Sequence, residues 1–100
     1  MKIEYQTGTL TLSDIGPLNA ANSSTFREEA RAALREGVTN VNIDLSQTRQ
    51  VDSSGLGALI ALQKTVGARG GAIRILRPTP IVYQILELTR LHRVFEIVRD

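Results

Sequence analysis

The 100-residue sequence has no cysteine and no tryptophan, one histidine, two tyrosines and two phenylalanines. The absence of cysteine excludes disulfides, thiolate zinc sites and thiol catalysis, and a single histidine excludes a multi-histidine metal centre. Four aromatic residues are few for a surface that stacks the bases of single-stranded nucleic acid. No apolar run approaches the roughly 18–20 residues that span a bilayer, so we expect no membrane insertion.

The composition, with 42% hydrophobic and 22% charged residues, is typical of one globular domain, which we assign to residues 1–100. Residues 1–4 lead directly into strand-like sequence, so we expect no secretory signal and a cytoplasmic location. The net charge of +2 is uneven, because the basic residues concentrate after position 63. This asymmetry suits a solvated surface as well as an anionic partner, and we predict no direct nucleic-acid partner.

Alternation of apolar and polar residues predicts strands at residues 3–7 and 9–12, paired antiparallel through a turn at Thr7-Gly8. Residues 22–24 offer several N-caps for a first helix that Gly37 ends. Its apolar face has helical spacing and consists of Phe26, Ala30, Ala33 and Leu34. A β-branched strand follows, which we place centrally in the sheet because helices flank it; its apolar residues are Val41, Ile43 and Leu45.

The second half of the chain continues this alternation of helices and strands. A second helix begins within residues 51–57 and ends before Gly70-Gly71, and a fourth strand covers residues 72–76. Thr79-Pro80 predicts the start of a third helix, and residues 94–98 predict a last short strand. The order predicts an α/β domain whose mixed sheet is antiparallel at the first hairpin and mainly parallel afterwards.

The most distinctive segment is Val51-Asp52-Ser53-Ser54-Gly55-Leu56-Gly57, which follows Asp44-Leu45-Ser46. It predicts a strand, a loop and a helix N-terminus, with one of the two serines at or next to the N-cap. The positive helix end favours an anionic group, so it can hold a phosphate, either bound or covalently attached. A purely structural interpretation stays open, because Asp-Ser-Ser is a good capping sequence and Gly-x-Gly lets a helix pack close to a sheet.

Several enzymatic interpretations of this segment fail. It lacks the lysine and glycine spacing of a Walker phosphate-binding loop, and Gly-x-Ser-x-Gly of a nucleophile elbow does not occur. A serine hydrolase would need His92 as its base, and His92 lies far along the chain between Leu91 and Arg93. Asp44 and Asp52 can bind a divalent cation in principle, but no third acidic ligand is close in sequence. We therefore predict no serine hydrolase, no metal site and no cofactor.

The run from Ile43 to Val98 resembles the anti-sigma factor antagonist branch of the STAS (sulphate transporter and anti-sigma factor antagonist) domain family. The resemblance is carried by Ile43-Asp44-Leu45-Ser46, Val51-Asp52-Ser53-Ser54-Gly55-Leu56-Gly57-Ala58-Leu59, Arg69-Gly70-Gly71, Ile73-Arg74-Ile75, Leu86-Glu87-Leu88-Thr89-Arg90-Leu91 and Phe95-Glu96-Ile97. It implies a single α/β domain with a mixed sheet of four or five strands and helices packed mainly on one face.

The resemblance also implies a function, that of a bacterial phosphoprotein that regulates transcription by partner switching and is a binding module, not an enzyme. The unphosphorylated domain would bind an anti-sigma factor serine kinase and so free a sigma factor; phosphorylation at Ser53, with Ser54 as the alternative, would release it. A PP2C-type phosphatase would reset the switch. The implied partner-binding residues are Asn19, Asp52, Ser53, Ser54, Gly55 and Leu56.

Two positions depart from the pattern of this family. Asn19 stands where many relatives have an aspartate near the phosphorylated serine, and Arg90 stands where glycine is more common. Asn19 leaves room for an alternative, a constitutive STAS scaffold subunit of a lipid transporter complex or of a stress-sensing assembly. A small-ligand or nucleotide binder that uses the same helix end is a third interpretation. The oligomeric state stays open, since the first strand can pair with a copy of itself although Lys2 also blunts such an edge.

Overall fold

A computed structural model describes residues 1–99 and contains five strands and three helices in alternation. In chain order these are β1 (Lys2–Gln6), β2 (Thr9–Ser13), α1 (Ser23–Ala33), β3 (Asn40–Asp44), α2 (Ser53–Ala68), β4 (Ile73–Leu76), α3 (Pro80–Leu88) and β5 (Glu96–Val98). A single 3₁₀ turn, Leu91–Arg93, connects α3 to β5. Among the described residues, no helix is long and apolar enough to cross a membrane.

The five strands form one sheet in the order β1-β2-β3-β4-β5. β1 pairs antiparallel with β2, and each later pair is parallel, which confirms the predicted mixed sheet. The hairpin turn falls at the predicted Thr7-Gly8, whose φ values of 40° and 78° are those of a type I′ turn. This turn suits the hairpin because its twist matches that of the flanking strands.

All three helices cover the same face of the sheet. Two rows of apolar side chains on β2, β3 and β4 point to that face and are completely or almost completely buried: Leu10, Val41 and Ile73, and Leu12, Ile43 and Ile75. They join one core with buried residues of α1, α2 and α3. The opposite face is polar, with Thr11, Asn42, Arg74 and Glu96 side by side across four strands. The predicted one-sided arrangement of helices is confirmed.

Two predicted element ends shift by a few residues. α1 ends at Ala33 rather than near Gly37, because Leu34 leaves the helical conformation while its side chain stays buried. β3 ends at Asp44, so Leu45 is buried just beyond the strand. In both cases the apolar side chain is buried in the core as predicted, although its backbone lies outside the helix or strand.

Arg69, the residue that follows α2, closes the end of α1. Its Nη2 donates to the Leu34 carbonyl at 2.6 Å, and its Nη1 donates to the carbonyls of Arg35 and Val38, both at 3.0 Å. Carbonyl groups at a helix C-terminus lack partners within the helix and carry partial negative charge, so a guanidinium is a favourable cap. The carboxyl ends of α1 and α2 are therefore bound to each other.

Arg90 follows the end of α3 in a left-handed conformation, with φ 62° and ψ 16°. Glycine adopts this conformation without a Cβ penalty, whereas arginine pays one. The structure thus gives a physical reason why glycine suits this position. The arginine does not prevent α3 from ending at Leu88.

Candidate functional site

The site is built where two loops meet just before α2. Leu18 and Val51 form an isolated parallel bridge. The Leu18 N–H donates to the Gln50 carbonyl at 2.9 Å, and the Asp52 N–H donates to the Leu18 carbonyl at 3.1 Å. These bonds hold the loop after β2 against the first residues of α2, although more than 30 residues of chain separate them.

Asp52 is the N-cap of α2. Its Oδ1 accepts hydrogen bonds from the backbone N–H groups of Ser54 at 2.9 Å and Gly55 at 3.1 Å. Its Oδ2 accepts a third, at 3.2 Å, from the N–H of Ala20 in the other loop. The cap satisfies two of the orphan donors of the helix end. It also places Ser53 at the first helical position, directly next to the N-cap as predicted.

Gly55 is buried because α2 lies against the backbone of the other loop. A Cβ at this position would overlap the Leu18 carbonyl oxygen and would be 2.7 Å from the Leu18 Cβ. Gly57 differs, since a Cβ there would meet nothing within 4 Å. The structural interpretation of the glycines therefore holds for Gly55 in a changed form, because the helix packs close to a loop and not to one of the five strands. Gly55 is itself buried.

The exposed part of the site consists of Asp52, Ser53 and Ser54, with Leu56 half-buried against the core. Ser54 also lines a groove of about 190 Å³ between the first turns of α1 and α2. The rest of the groove is lined by Ser23, Ser24, Arg27, Gly57 and Ala58. Arg27 thus brings a positive charge to one side of the serines.

Asn19 stabilises the adjoining loop through three hydrogen bonds. Its side-chain oxygen accepts from the Ala21 N–H at 2.9 Å, and its Nδ2 donates to Gln50 Oε1 at 3.3 Å. Its own N–H donates to the Asn22 side chain at 2.9 Å. Asn22 occupies the N-cap position of α1 but makes no capping bond with its side chain, which turns back to Asn19 instead.

The STAS domain family model matches residues 1–100. The chain belongs to the STAS domain family. The anti-sigma F factor antagonist of Paenibacillus polymyxa is 24% identical to this STAS domain over 98 residues, which are 97% of this chain and 84% of the relative.

Two solved structures share the fold of this STAS domain. TM1081 from Thermotoga maritima, provisionally named an anti-sigma factor antagonist, has a TM-score of 0.91 at 24% identity. The matched region covers 99% of this chain and 86% of the TM1081 chain. The phosphorylated form of SpoIIAA from Bacillus has a TM-score of 0.74 at 19% identity, over 97% of this chain and 89% of its own. At these identities the likeness shows the fold.

Asp44 and Asp52 have separate partners. Asp44 accepts from the Ser46 N–H at 2.9 Å and forms an ion pair with Arg77. Burial alone raises the pKa of the Asp44 carboxyl, but the hydrogen bonds from Ser46 and the Arg77 guanidinium outweigh burial and leave the pKa below its ordinary value. Within residues 1–99 no three acidic, histidine or cysteine side chains cluster as metal ligands would.

His92 contacts α3. Its Nδ1 lies 3.4 Å from the Leu86 carbonyl oxygen, in the 3₁₀ turn that precedes β5. No hydrogen bond among the described residues joins it to a serine.

Sequence reasoning missed three residues that shape the site: Ala20, Gln50 and Arg27. Ala20 contributes its backbone N–H and Gln50 its side-chain amide to contacts between the two loops. No sequence pattern predicts such tertiary contacts. Arg27 had a usable signal, because it lies three residues after Ser24 and four after Ser23, the two spacings that place helical residues next to each other.

Proposed function

We propose that this STAS domain is an anti-sigma factor antagonist, a binding module without catalytic activity that is switched by phosphorylation of Ser53. The observation that carries the proposal is the exposed Ser53 at the first position of α2, directly after the capping Asp52. Two comparisons support it: a relative is named an anti-sigma F factor antagonist, and SpoIIAA, which shares the fold, has been solved in a phosphorylated form. The proposed partners are an anti-sigma factor serine kinase and a PP2C-type phosphatase, in the bacterial cytoplasm.

A phosphate on Ser53 changes the charge of this surface without requiring the fold to move. The N–H groups of Ser54, Gly55 and Ala20 are already bound by Asp52, so the local backbone is held before modification. Phosphorylation adds about −1.5 to −2 charge, which the positive end of α2 tolerates. Beside the exposed Asp52 carboxylate, the added charge repels an acidic partner surface, and burying it against an apolar one carries a desolvation cost.

Ser53 is a better phosphoacceptor than Ser54. Ser54 lines the narrow groove against α1, together with Ser23 and Arg27, whereas Ser53 is not among the groove residues. Both side chains are exposed, but a kinase can enclose the Ser53 hydroxyl without entering the groove, and we therefore infer Ser53 as the phosphoacceptor. The proposed contact surface is made of Asn19, Asp52, Ser53, Ser54 and Leu56, with Gly55 as its buried support.

Phosphorylation is tested with the serine kinase of the same genome, ATP and peptide mass spectrometry on the wild type, Ser53→Ala and Ser54→Ala. We expect phosphate on wild type and Ser54→Ala, and none on Ser53→Ala. The same variants without ATP control for background modification. Phosphate that persists on Ser53→Ala and disappears from Ser54→Ala would transfer the site to Ser54, and an unmodified wild type would refute the switch.

The effect of charge is tested with Ser53→Asp and the matched neutral variant Ser53→Asn. We expect Ser53→Asp to weaken kinase binding roughly five- to 150-fold, the range that about 1–3 kcal/mol of coupling produces. The asparagine of Ser53→Asn has nearly the same shape as the aspartate of Ser53→Asp but carries no charge. The dissociation constant of Ser53→Asn should therefore stay near that of the wild type. Equal binding by the two variants in calorimetry, with unchanged melting temperatures, would count against repulsion as the mechanism.

Asn19 favours a second candidate function, a constitutive scaffold subunit of a transporter or stress-sensing assembly. Its side chain is an amide that is hydrogen-bonded to Ala21 and Gln50. Because this position has no carboxylate, Asn19 cannot assist phosphoryl transfer to Ser53 as an aspartate could. Purification of the tagged chain from its own cell separates the two functions. Recovery of transporter ATPase subunits without a sigma-regulating kinase would favour the scaffold.

A further inference from the structure

The outer edge of β1 is an unpaired and partly apolar strand edge. β1 is the first strand in the sheet order, so within residues 1–99 only one of its edges has a partner. All five of its residues are exposed. Three of the large hydrophobic side chains exposed on the molecule belong to this edge, with relative exposures of 39% for Met1, 41% for Ile3 and 38% for Tyr5. Such an edge is a template for pairing with another strand.

The hairpin determines which backbone groups point out of this edge. In a two-residue hairpin the residues that flank the turn, here Gln6 and Thr9, exchange both hydrogen bonds. Backbone groups alternate in direction along a strand, so the N–H and C=O of Glu4 and Lys2 also point to β2. The N–H and C=O of Ile3 and Tyr5 therefore point away from the sheet and are available to a second strand.

We propose that this edge pairs with β1 of a second copy of the chain, antiparallel and centred on Ile3. In this register Ile3 lies opposite the partner's Ile3, and the two residues exchange both backbone hydrogen bonds. Tyr5 lies opposite the partner's Met1 and donates its N–H to the carbonyl of that residue. The result is a continuous ten-stranded sheet across a twofold axis, in which the interface is the same patch on both chains.

The charges of β1 select this register. Lys2 and Glu4 lie on the same side of the strand, with 4.0 Å between Nζ and Oε1. Pairing centred on Ile3 places Lys2 opposite the partner's Glu4, and Glu4 opposite the partner's Lys2. Pairing centred on Lys2 or on Glu4 would instead set like charges opposite each other, which is unfavourable across strands. Lys2 and Glu4 therefore each disfavour one neighbouring register without blocking the proposed one.

The apolar side of the strand is complementary as well. Tyr5 is held in place on this side, because its hydroxyl donates to the Ala33 carbonyl at 2.8 Å and the Arg35 guanidinium lies 3.6 Å from the ring centre. Beside it a groove of about 330 Å³ runs between β1 and α1, lined by Met1, Ile3, Tyr5, Glu29, Ala32 and Ala33. The twofold axis brings the partner's Ile3 and Met1 next to this groove.

Sedimentation equilibrium of the wild type, Lys2→Glu, Glu4→Lys and their equimolar mixture tests the proposal. We expect a wild-type dimer that dissociates on dilution, and a roughly tenfold weaker dimer for each single variant because attraction becomes repulsion at two symmetric positions. The mixture should recover wild-type association, since the acidic β1 of the Lys2→Glu chain then faces the basic β1 of the Glu4→Lys chain. A monomeric wild type at about 1 mM, or a dimer indifferent to both charge reversals, would overturn the proposal.

The backbone contacts are tested separately with Ile3→Pro and the control Ile3→Val. The Ile3 N–H points away from β2, so Ile3→Pro removes no hydrogen bond within the chain, and proline is tolerated at a strand edge. We expect Ile3→Pro to abolish the dimer and Ile3→Val to retain it. Dimerisation should also slow amide exchange at Ile3 and Tyr5. An Ile3→Pro chain that dimerises as well as Ile3→Val would overturn the proposed pairing.

Discussion

The chain makes the same local turn at two places, Asp44-Leu45-Ser46 and Asp52-Ser53-Ser54. In each, the aspartate Oδ1 accepts a hydrogen bond from the N–H two residues later, and both distances are 2.9 Å. The first turn continues into a bend closed by the Thr48 N–H and the Leu45 carbonyl at 3.0 Å, whereas the second opens α2. The same short-range chemistry therefore precedes two different structures.

The second oxygen of each aspartate explains the difference in role. Asp44 is 8% exposed, and its Oδ2 meets the Arg77 guanidinium, which neutralises a charge at the end of the sheet. Asp52 is exposed, and its Oδ2 meets only the backbone N–H of Ala20. The negative charge of the first turn is thus neutralised by an ion pair within the fold. The second leaves a negative charge on the surface beside Ser53.

The largest predicted effect on stability comes from Gly55→Ala, which disrupts the packing of the second turn against Leu18. The added Cβ would overlap the Leu18 carbonyl oxygen and lie 2.7 Å from the Leu18 Cβ, and backbone on both sides leaves little room to relax. We expect a loss of about 3 kcal/mol in the free energy of unfolding, at the upper end of typical overpacking. Urea denaturation measures it.

Gly57→Ala is the matched control for this change, since it adds the same methyl group two residues later on the same helix. Its Cβ would meet nothing within 4 Å, so we expect a gain of about 0.5–1 kcal/mol from reduced backbone freedom. Equal and small effects at the two positions would show that Leu18 does not hold α2 in the way described.

A smaller effect is expected when the cap of the second turn is removed. Asp52→Ala leaves the N–H groups of Ser54, Gly55 and Ala20 without their acceptor and should cost about 1–2 kcal/mol. Asp52→Asn keeps an acceptor oxygen and should retain most of that stability. If both variants lose the same amount in thermal or urea unfolding, the charge rather than the hydrogen bonds stabilises the cap.

The smallest effect concerns the first turn and appears only in acid. The pKa of Asp44 is lower in the folded chain than in the unfolded chain, so the unfolded state takes up the proton first as the pH falls. The resulting stabilisation is fully present above the ordinary aspartate pKa of about 4 and is lost as the pH falls through the lower, folded value. Half of the Arg77 side chain is exposed, which limits the contribution of the pair to about 1 kcal/mol.

Arg77→Gln tests this acid dependence, because it removes the cation and retains a side chain that donates hydrogen bonds. We expect a lower free energy of unfolding at pH 7 and a smaller loss of stability between pH 5 and about pH 2, measured by urea titrations across that range. An identical pH profile in the wild type and Arg77→Gln would mean that Ser46 alone lowers the pKa of Asp44.

Local signals in the sequence were sufficient for the elements and for the position of Ser53. Thr7-Gly8 specifies a hairpin turn, Thr79-Pro80 a helix start, and Asp52 before two serines a cap, and each needs only neighbouring residues. Contacts between distant segments were not predictable in the same way. The 190 Å³ groove, the bond from Ala20 to Asp52 and the close approach of Leu18 to Gly55 depend on how two loops meet after the sheet has formed.

Asn22 occupies the predicted N-cap position of α1 without making the capping bond. Asn is a strong N-cap, yet two groups compete for its side-chain oxygen: the N–H groups of α1 and the N–H of Asn19. The Asn19 N–H obtains the bond, at 2.9 Å, because the loop folds back on itself before the helix begins. A residue preference states what a side chain can accept, and tertiary structure decides which donor reaches it.

The bond from Arg69 to the end of α1 has a consequence for how the molecule opens. α1 and α2 are joined at their amino ends through Ala20 and Asp52, and at their carboxyl ends through Arg69 and the carbonyls of Leu34, Arg35 and Val38. Neither helix can detach without breaking contacts at both ends of the other. We therefore expect the two helices to open together in local unfolding, so that the partner proposed to bind at Ser53 would meet a surface backed by both helices.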